Sequence, residues 1–385
     1  MTDRFPVFFV ALLLVAAIPL FAAESPREAA LRERAARLAG SLDDRALAAQ
    51  VLLTGIDGNG RLDDGTAELL RRIPAGGVVL FRYNLSVARE AIAPFLGLVS
   101  GTAGSGGIAP FLAVDHEGGF VHRFGEGVAR LPAPLSYWNK SRAGNKKLPG
   151  GKARREALAA VEEDAFRSGQ EIRGFGITLN LAPVAEVLTG ENSAFLGNRS
   201  YGPNAAFVKE ACAAFIRGME RAGVLCTVKH FPGNTGEDPH DRESAIGLDR
   251  ASLDRAAAPM IRLLEASPPP AVMVSHALVP AWDAGRNASL SRAVIGSWLR
   301  DGIGFRGLVL ADDFSMGAVT RAPEDAAVEA LNAGVDMLMA WPSNIDSVHA
   351  AILAALEEGR LGRGRLEDAA ARIIYEKLRL GILRP

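Results

Sequence analysis

Between residues 224 and 244 the chain reads VLCTVKHFPGNTGEDPHDRES, an apolar β-branched run that ends abruptly in Lys229-His230. Charge placed directly after a buried strand is costly unless it is paired or used. A loop punctuated by Pro and Gly follows and carries Glu237, Asp238 and His240. If Asp238-Pro239-His240 is extended, the carboxylate and the imidazole fall on the same side. A carboxylate bonded to an imidazole fixes its tautomer and raises its proton affinity, making a competent acid near neutral pH. With Glu237 and Asp241 alongside, the same triplet also fits a solvated acidic loop.

Other apolar runs end the same way. One runs into Asp115-His116-Glu117-Gly118-Gly119, with Arg123 shortly after, and another is followed by Glu186 and the loop GNRSYG containing Arg199. Two more end in Ser275-His276 and Asp312-Asp313. Adjacent residues on a strand point to opposite faces, so the two aspartates cannot share a role. Asp312 follows the LVLA run first and is the expected inward group; Asp313 is left to support the loop or cap a helix starting near Ser315. The planar fork of Arg199 suits hydroxyls or carboxylates. His276 reads equally well as a site residue or as a core-edge histidine satisfied by backbone, His116 and His122 are undecided, and His349 is expected on a helix surface.

These ends need a scaffold that gathers them. Short apolar runs at 51–55, 77–81, 111–115, 177–183, 225–230, 272–276, 308–311 and 337–340 alternate with helical patterns such as 154–174, 205–222, 252–266, 291–302, 323–333 and 366–380. Residues 25–49 read as one further helical stretch, and the polar, Gly-rich 136–152 as an exposed loop. Eight strands alternating with helices is the count of a (β/α)8 barrel, whose chemistry lies at the C-terminal ends of its strands. A doubly wound open sheet fits the alternation too, but neither a Gly-x-Gly-x-x-Gly after an early strand nor a Walker-type loop is present. A single barrel is the better fit.

Composition agrees. The 385 residues are 49% hydrophobic with a formal net charge of −1, enough for a large core and nothing that marks a nucleic-acid partner. Cys212 and Cys226, the two cysteines, read as buried free thiols rather than a disulfide framework. At the N-terminus Arg4 precedes an apolar run over 5–23 ending in small residues, which reads as an export signal cut after Ala23 or an uncleaved membrane anchor. Residues 25–385 would then be the barrel, exported to the periplasm or beyond.

At VDHEGGFVHRF (114–124), LNLAPVAEV (179–187), GNRSYG (197–202), KHFPGN (229–234) and GFRGLVLADDFSMGAV (304–319) the chain resembles glycoside hydrolase family 3, specifically its single-domain bacterial β-N-acetylhexosaminidase branch. The resemblance implies a single-domain (β/α)8 barrel without the C-terminal sandwich domain of larger relatives. It implies Asp312 as nucleophile, Asp238 and His240 as the acid/base pair, and sugar contacts at Asp115, Arg123, Arg199, Lys229 and His230. The implied reaction is retaining hydrolysis of terminal β-linked N-acetylglucosamine from cell-wall or chitin-type oligosaccharides through a covalent glycosyl-enzyme. No metal or organic cofactor, nucleic acid or obligate protein partner is implied, only a small carbohydrate substrate.

Three departures bear on substrate rather than fold. Phe120 stands where the family usually has Arg, Asn234 where it usually reads KHFPGHG, and the stretch from KHFPG to the Asp-x-His pair is about two residues short. Alternatives at this stage are a β-glucosidase or phosphate-dependent glycosidase of the same family and a non-catalytic sugar-binding barrel. A metal hydrolase using His230, Asp238, His240, His276 and Asp312 as ligands is a further alternative.

Overall fold

The computed structural model describes residues 25–142 and 151–383. Ten strands occur in them: β1 (Leu52–Thr54), β2 (Gly77–Leu80), β3 (Phe111–Val114), β4 (Leu179–Asn180), β5 (Leu225–Phe231), β6 (Ala271–Val274), β7 (Leu278–Val279), β8 (Asp283–Asn287), β9 (Leu308–Ala311) and β10 (Leu338–Ala340). Eight form one parallel sheet in the order β10-β1-β2-β3-β4-β5-β6-β9. A parallel bridge between Leu310 and Met337 joins the two ends, with the Ala311 N–H donating to the Met337 carbonyl at 3.1 Å, and closes the barrel. β7 and β8 pair as an antiparallel hairpin inserted after β6.

The eight-strand reading of the sequence is therefore borne out, each apolar run supplying one stave. Strands buried on both faces need continuous apolar sequence, and FLAV, AVMV and LVLA are fully buried. Helices between them start where expected: Asp63, Asn204 and Asp249 each accept a backbone N–H of the first turn. Each strand thereby feeds a helix that returns to the barrel's far end, leaving the strand C-termini at one mouth.

Four local expectations are corrected. The stretch 25–49 is two helices, Pro26–Gly40 and Asp44–Gln50, because Asp43 accepts the Ala46 N–H and starts a new one. Within the supposed exposed loop, Pro134–Ser141 is a helix whose Tyr137 and Trp138 are buried; Pro at the first position and two aromatics overrode the polar composition. No helix starts at Ser315; the next begins at Pro323. His349, expected on the surface, is buried on the helix Ile345–Glu357, its Nε2 donating to the Arg45 carbonyl at 3.0 Å. Cys212 and Cys226 are buried and free. The N-terminal run 5–23 and the loop 143–150 lie outside the described residues. Among the described residues no helix is long and apolar enough to cross a membrane.

Candidate active site

Lys229 and His230 close β5, where the register against β6 slips between Val228 and Phe231. A slip of this kind re-aims side chains that strict alternation would send to opposite faces. The Lys229 ammonium donates to Asp115 Oδ1 and lies 2.7 Å from Glu117 Oε1, both at the end of β3. Arg199 donates twice to Glu117, Nε to Oε2 at 2.8 Å and Nη2 to Oε1 at 2.9 Å. Arg123 completes the cluster, with Nη2 3.5 Å from Asp115 Oδ2. Burial by itself pushes the Glu117 carboxyl up, but Lys229 and Arg199 outweigh it and hold it well below the carboxylate range. Burial pushes the Lys229 amine down, and Asp115 and Glu117 reverse that, leaving it above the usual lysine value. Held by one another in this way, the members offer fixed hydrogen-bonding groups to hydroxyls.

His230 belongs to a second network. Its Nδ1 donates to Glu186 Oε1 at 2.7 Å, beyond β4. Glu186 also accepts from the Asn234 backbone N–H at 2.7 Å on Oε2 and from Asn234 Nδ2 at 3.1 Å on Oε1. The carboxylate therefore sets the His230 tautomer and leaves its Nε2 as the outward nitrogen. Behind Glu186 and Asn234 a cavity of about 440 Å³ opens toward Leu248 and Met260.

Asp312 follows β9 at the barrel mouth, and its Oδ1 accepts the Asp313 N–H at 3.0 Å. Burial favours its neutral acid, yet the charges of His230, His276 and Lys229 outweigh this and hold it below the ordinary carboxylate value. Asp313 turns away, accepting from Ser315 and, at 2.8 Å, from Trp341 Nε1. Opposite orientation of the two aspartates is what strand alternation requires. His276 takes the core-edge alternative: Nε2 donates to the Asp313 carbonyl at 2.9 Å and Nδ1 meets Ser289 Oγ at 2.7 Å. Burial lowers its proton affinity, and the two bonds let it brace the strand end.

The Asp238–His240 pair lies at the rim. His240 Nδ1 is 2.7 Å from Asp238 Oδ1, which also accepts the His240 backbone N–H at 2.9 Å. Its imidazole is 69% exposed, so its other nitrogen is open to solvent and ligand. Burial nudges the Asp238 carboxyl up, but these His240 hydrogen bonds and the charge of Arg199 hold it below its ordinary value. The shortened loop still docks on the turn after Asp312: Gly317 N–H donates to the His240 carbonyl at 2.9 Å and Ala318 N–H to that of Pro239 at 3.0 Å.

Sequence reasoning placed Asp115, Arg123, Arg199, Lys229, His230, Asp238, His240 and Asp312 around one mouth, and all eight lie there. It underweighted Glu117, the hub of the cation cluster, and Glu186, although both were visible at strand ends. The signal was an acid within a few residues of the end of an apolar run. His116 packs inward onto Ser168 at 2.8 Å and beside His122, 5.3 Å between ring centroids, outside the charged networks. The metal-ligand set does not gather: the His230 and His276 Nδ1 atoms are engaged by Glu186 and Ser289, and among the described residues no three His, Cys, Asp or Glu side chains could hold one ion.

A family model described as the glycosyl hydrolase family 3 N terminal domain matches residues 45–375, the whole barrel from the helix before β1. The chain belongs to glycosyl hydrolase family 3. Within that family it is 33% identical over 319 residues to a β-hexosaminidase of Methylococcus capsulatus, covering 81% of this chain and 88% of that one. It is 28% identical to β-hexosaminidase A of Pseudoalteromonas piscicida, spanning 82% of this chain but 55% of that longer protein. A family 3 β-N-acetylglucosaminidase from Paenibacillus sp. superposes with a TM-score of 0.81 at 29% identity, over 89% of this chain and 63% of that one.

Proposed function

We propose that this family 3 barrel is a retaining exo-glycosidase that removes terminal β-linked N-acetylglucosamine from cell-wall or chitin-type oligosaccharides. The observation that carries the reading is the Asp312 carboxylate, held ionised at the mouth beside His230 and Lys229, with the Asp238–His240 pair docked on the turn that follows it. Asp115, Arg123, Arg199, Lys229 and His230 bind the hydroxyls of the terminal sugar, placing its anomeric carbon against Asp312.

In the first step an Asp312 oxygen attacks the anomeric carbon as the bond to the leaving oxygen breaks, and His240 gives that oxygen its proton. The neutral imidazole then takes a proton from water as the water attacks the anomeric carbon, releasing the sugar with its β configuration and freeing Asp312. Asp238 holds the ring in one tautomer and stabilises its cationic form. Export, directed by the apolar run 5–23, places the enzyme with these polymers outside the cytoplasm.

The substrate assignment is checked with a panel of aryl β-glycosides: N-acetylglucosaminide, glucoside and xyloside, each with and without phosphate. Turnover is expected on the N-acetylglucosaminide, independent of phosphate, and Asp312→Ala is expected to lower kcat by roughly 10³-fold or more. Activity confined to the glucoside, or release of sugar 1-phosphate, would overturn the substrate or acceptor. Sugar binding by the parent without turnover would leave a binding protein.

A further inference from the structure

Three aromatic side chains have no part in that reaction, and all stand at the same mouth. Phe81 directly follows β2, Tyr83 lies two residues on, and Trp341 directly follows β10. Phe81 and Tyr83 stack with ring centroids 5.8 Å apart and planes within 6°, and Trp341 leans on Phe81 at 5.4 Å. The shelf spans the two halves of the site. At one end Trp341 Nε1 donates to Asp313, next to Asp312; at the other the Arg123 guanidinium lies 6.0 Å from the Phe81 ring centre while reaching Asp115.

The shelf is locked in place rather than left over. Besides Asp313, Trp341 Nε1 reaches Ser315 Oγ at 3.1 Å. Its six-membered ring lies over the Cα of Gly55, at the end of β1, where an added Cβ would come within 2.6 Å of Cε3. Tyr83 turns its hydroxyl to the Ile56 carbonyl at 3.2 Å, although the residue is 52% exposed. Their polar edges tied down, the rings are fixed beside the mouth. Placing apolar rings beside charged, hydroxyl-binding groups is unfavourable in water and favourable around a ligand with one polar edge and one apolar face. A pyranose ring is such a ligand: hydroxyls ring its edge, and axial C–H bonds make a weakly positive face that matches the negative π cloud.

Resting on the glycosidase reading, we infer that Trp341 and Phe81 form a stacking wall for the pyranose ring whose anomeric carbon faces Asp312, with Tyr83 buttressing Phe81. The ring of the terminal sugar is chosen over the leaving group because the shelf runs between the nucleophile's neighbour and the Asp115–Arg123 pair, the two points that the terminal sugar bridges. The two rings, tilted 58° to each other, cup the apolar face of the sugar while the charged cluster sets its rotation.

The test measures KM and kcat on an aryl N-acetyl-β-glucosaminide, and Ki for free N-acetylglucosamine, in the parent, Trp341→Ala, Trp341→Phe and Phe81→Ala. Trp341→Ala and Phe81→Ala are each expected to raise KM and Ki by about tenfold with a smaller change in kcat, and Trp341→Phe by threefold or less. Saturating sugar is expected to change the parent's tryptophan emission, and Trp341→Phe to lose that change, a readout that survives if the alanine variants do not fold. Unchanged Ki in folded Trp341→Ala, or a sugar response retained in Trp341→Phe, would overturn the wall. So would a rise in KM confined to oligosaccharides with Ki unchanged, which would move the stacking to the leaving group. A parent that neither binds nor hydrolyses the sugar defeats the glycosidase reading itself, whereas an active parent with an indifferent Trp341 defeats only the wall.

Discussion

Lys229 sits almost out of reach of water with two carboxylates 2.7 Å from its ammonium. Such a group is tolerable only because every partner is charged and oriented, and loss of one partner leaves the others buried and uncompensated. Glu186 plays the same part for His230 with three hydrogen bonds converging on two oxygens. In Glu186→Gln one of those oxygens becomes an NH2 group and must face an existing donor. The His230 ring then loses its fixed tautomer, and KM for the N-acetylglucosaminide is expected to rise roughly tenfold while the melting temperature changes little. A variant with unchanged KM would show that Glu186 does no positioning. The charged residues were legible at this scale, since each ends an apolar run. The partner of each was not, because Asp115–Lys229 and Glu186–His230 are separated by 114 and 44 residues.

At the scale of elements, the acid/base pair depends on a loop meeting a turn. Pro239 and His240 receive backbone hydrogen bonds from Ala318 and Gly317, and a Cβ on Gly317 would come within 2.8 Å of the His240 carbonyl and 2.6 Å of that of Asp241. Both obstacles are backbone, so Gly317→Ala must displace the loop. The expected outcome is a 10- to 100-fold loss of kcat on a poor leaving group, roughly what a 1 Å misplacement costs, with sugar binding retained. The loss should shrink on a 4-nitrophenyl leaving group, which needs less acid assistance. Equal losses on both substrates would contradict the assignment of His240 as acid. The two-residue shortening noted in the sequence leaves this docking intact, a point that loop length could not convey.

For the whole molecule, the far end of the barrel carries its own buried charges. Asp336 is fully buried and bridges Arg300 at 2.6 Å and Arg365 at 3.0 Å, tying the approach to β10 to the helices Ala293–Gly302 and Arg363–Arg379. Lys377, equally buried on the closing helix, meets Gln50 Oε1 at 3.0 Å and the Phe111 ring, and burial lowers its amine to about 7. Between about pH 7 and the ordinary lysine value of 10.5, the unfolded chain binds more protons at this residue than the folded one. Stability from Lys377 therefore rises with pH across that window and the penalty is complete below it. Urea titrations from pH 7 to pH 10 are expected to show this positive slope diminished in Lys377→Met. A parallel slope in both proteins would place the lysine in contact with water.

Barrel architecture was readable from the chain because eight apolar runs alternating with helices leave few ways to bury every strand. Alternation set Asp312 and Asp313 on opposite faces, and position directly after LVLA chose Asp312 as the inward one. Positions whose state is set by distant packing were not readable. His349, expected on a helix surface, and Trp138, expected in an exposed loop, are each covered by a neighbour far off in sequence. The same holds for Trp341, an isolated aromatic in the chain, which only chain closure brings onto Gly55, Phe81 and Asp313. Local sequence sets how a segment twists and which face it buries; folding brings together the partners that decide what a buried polar group does.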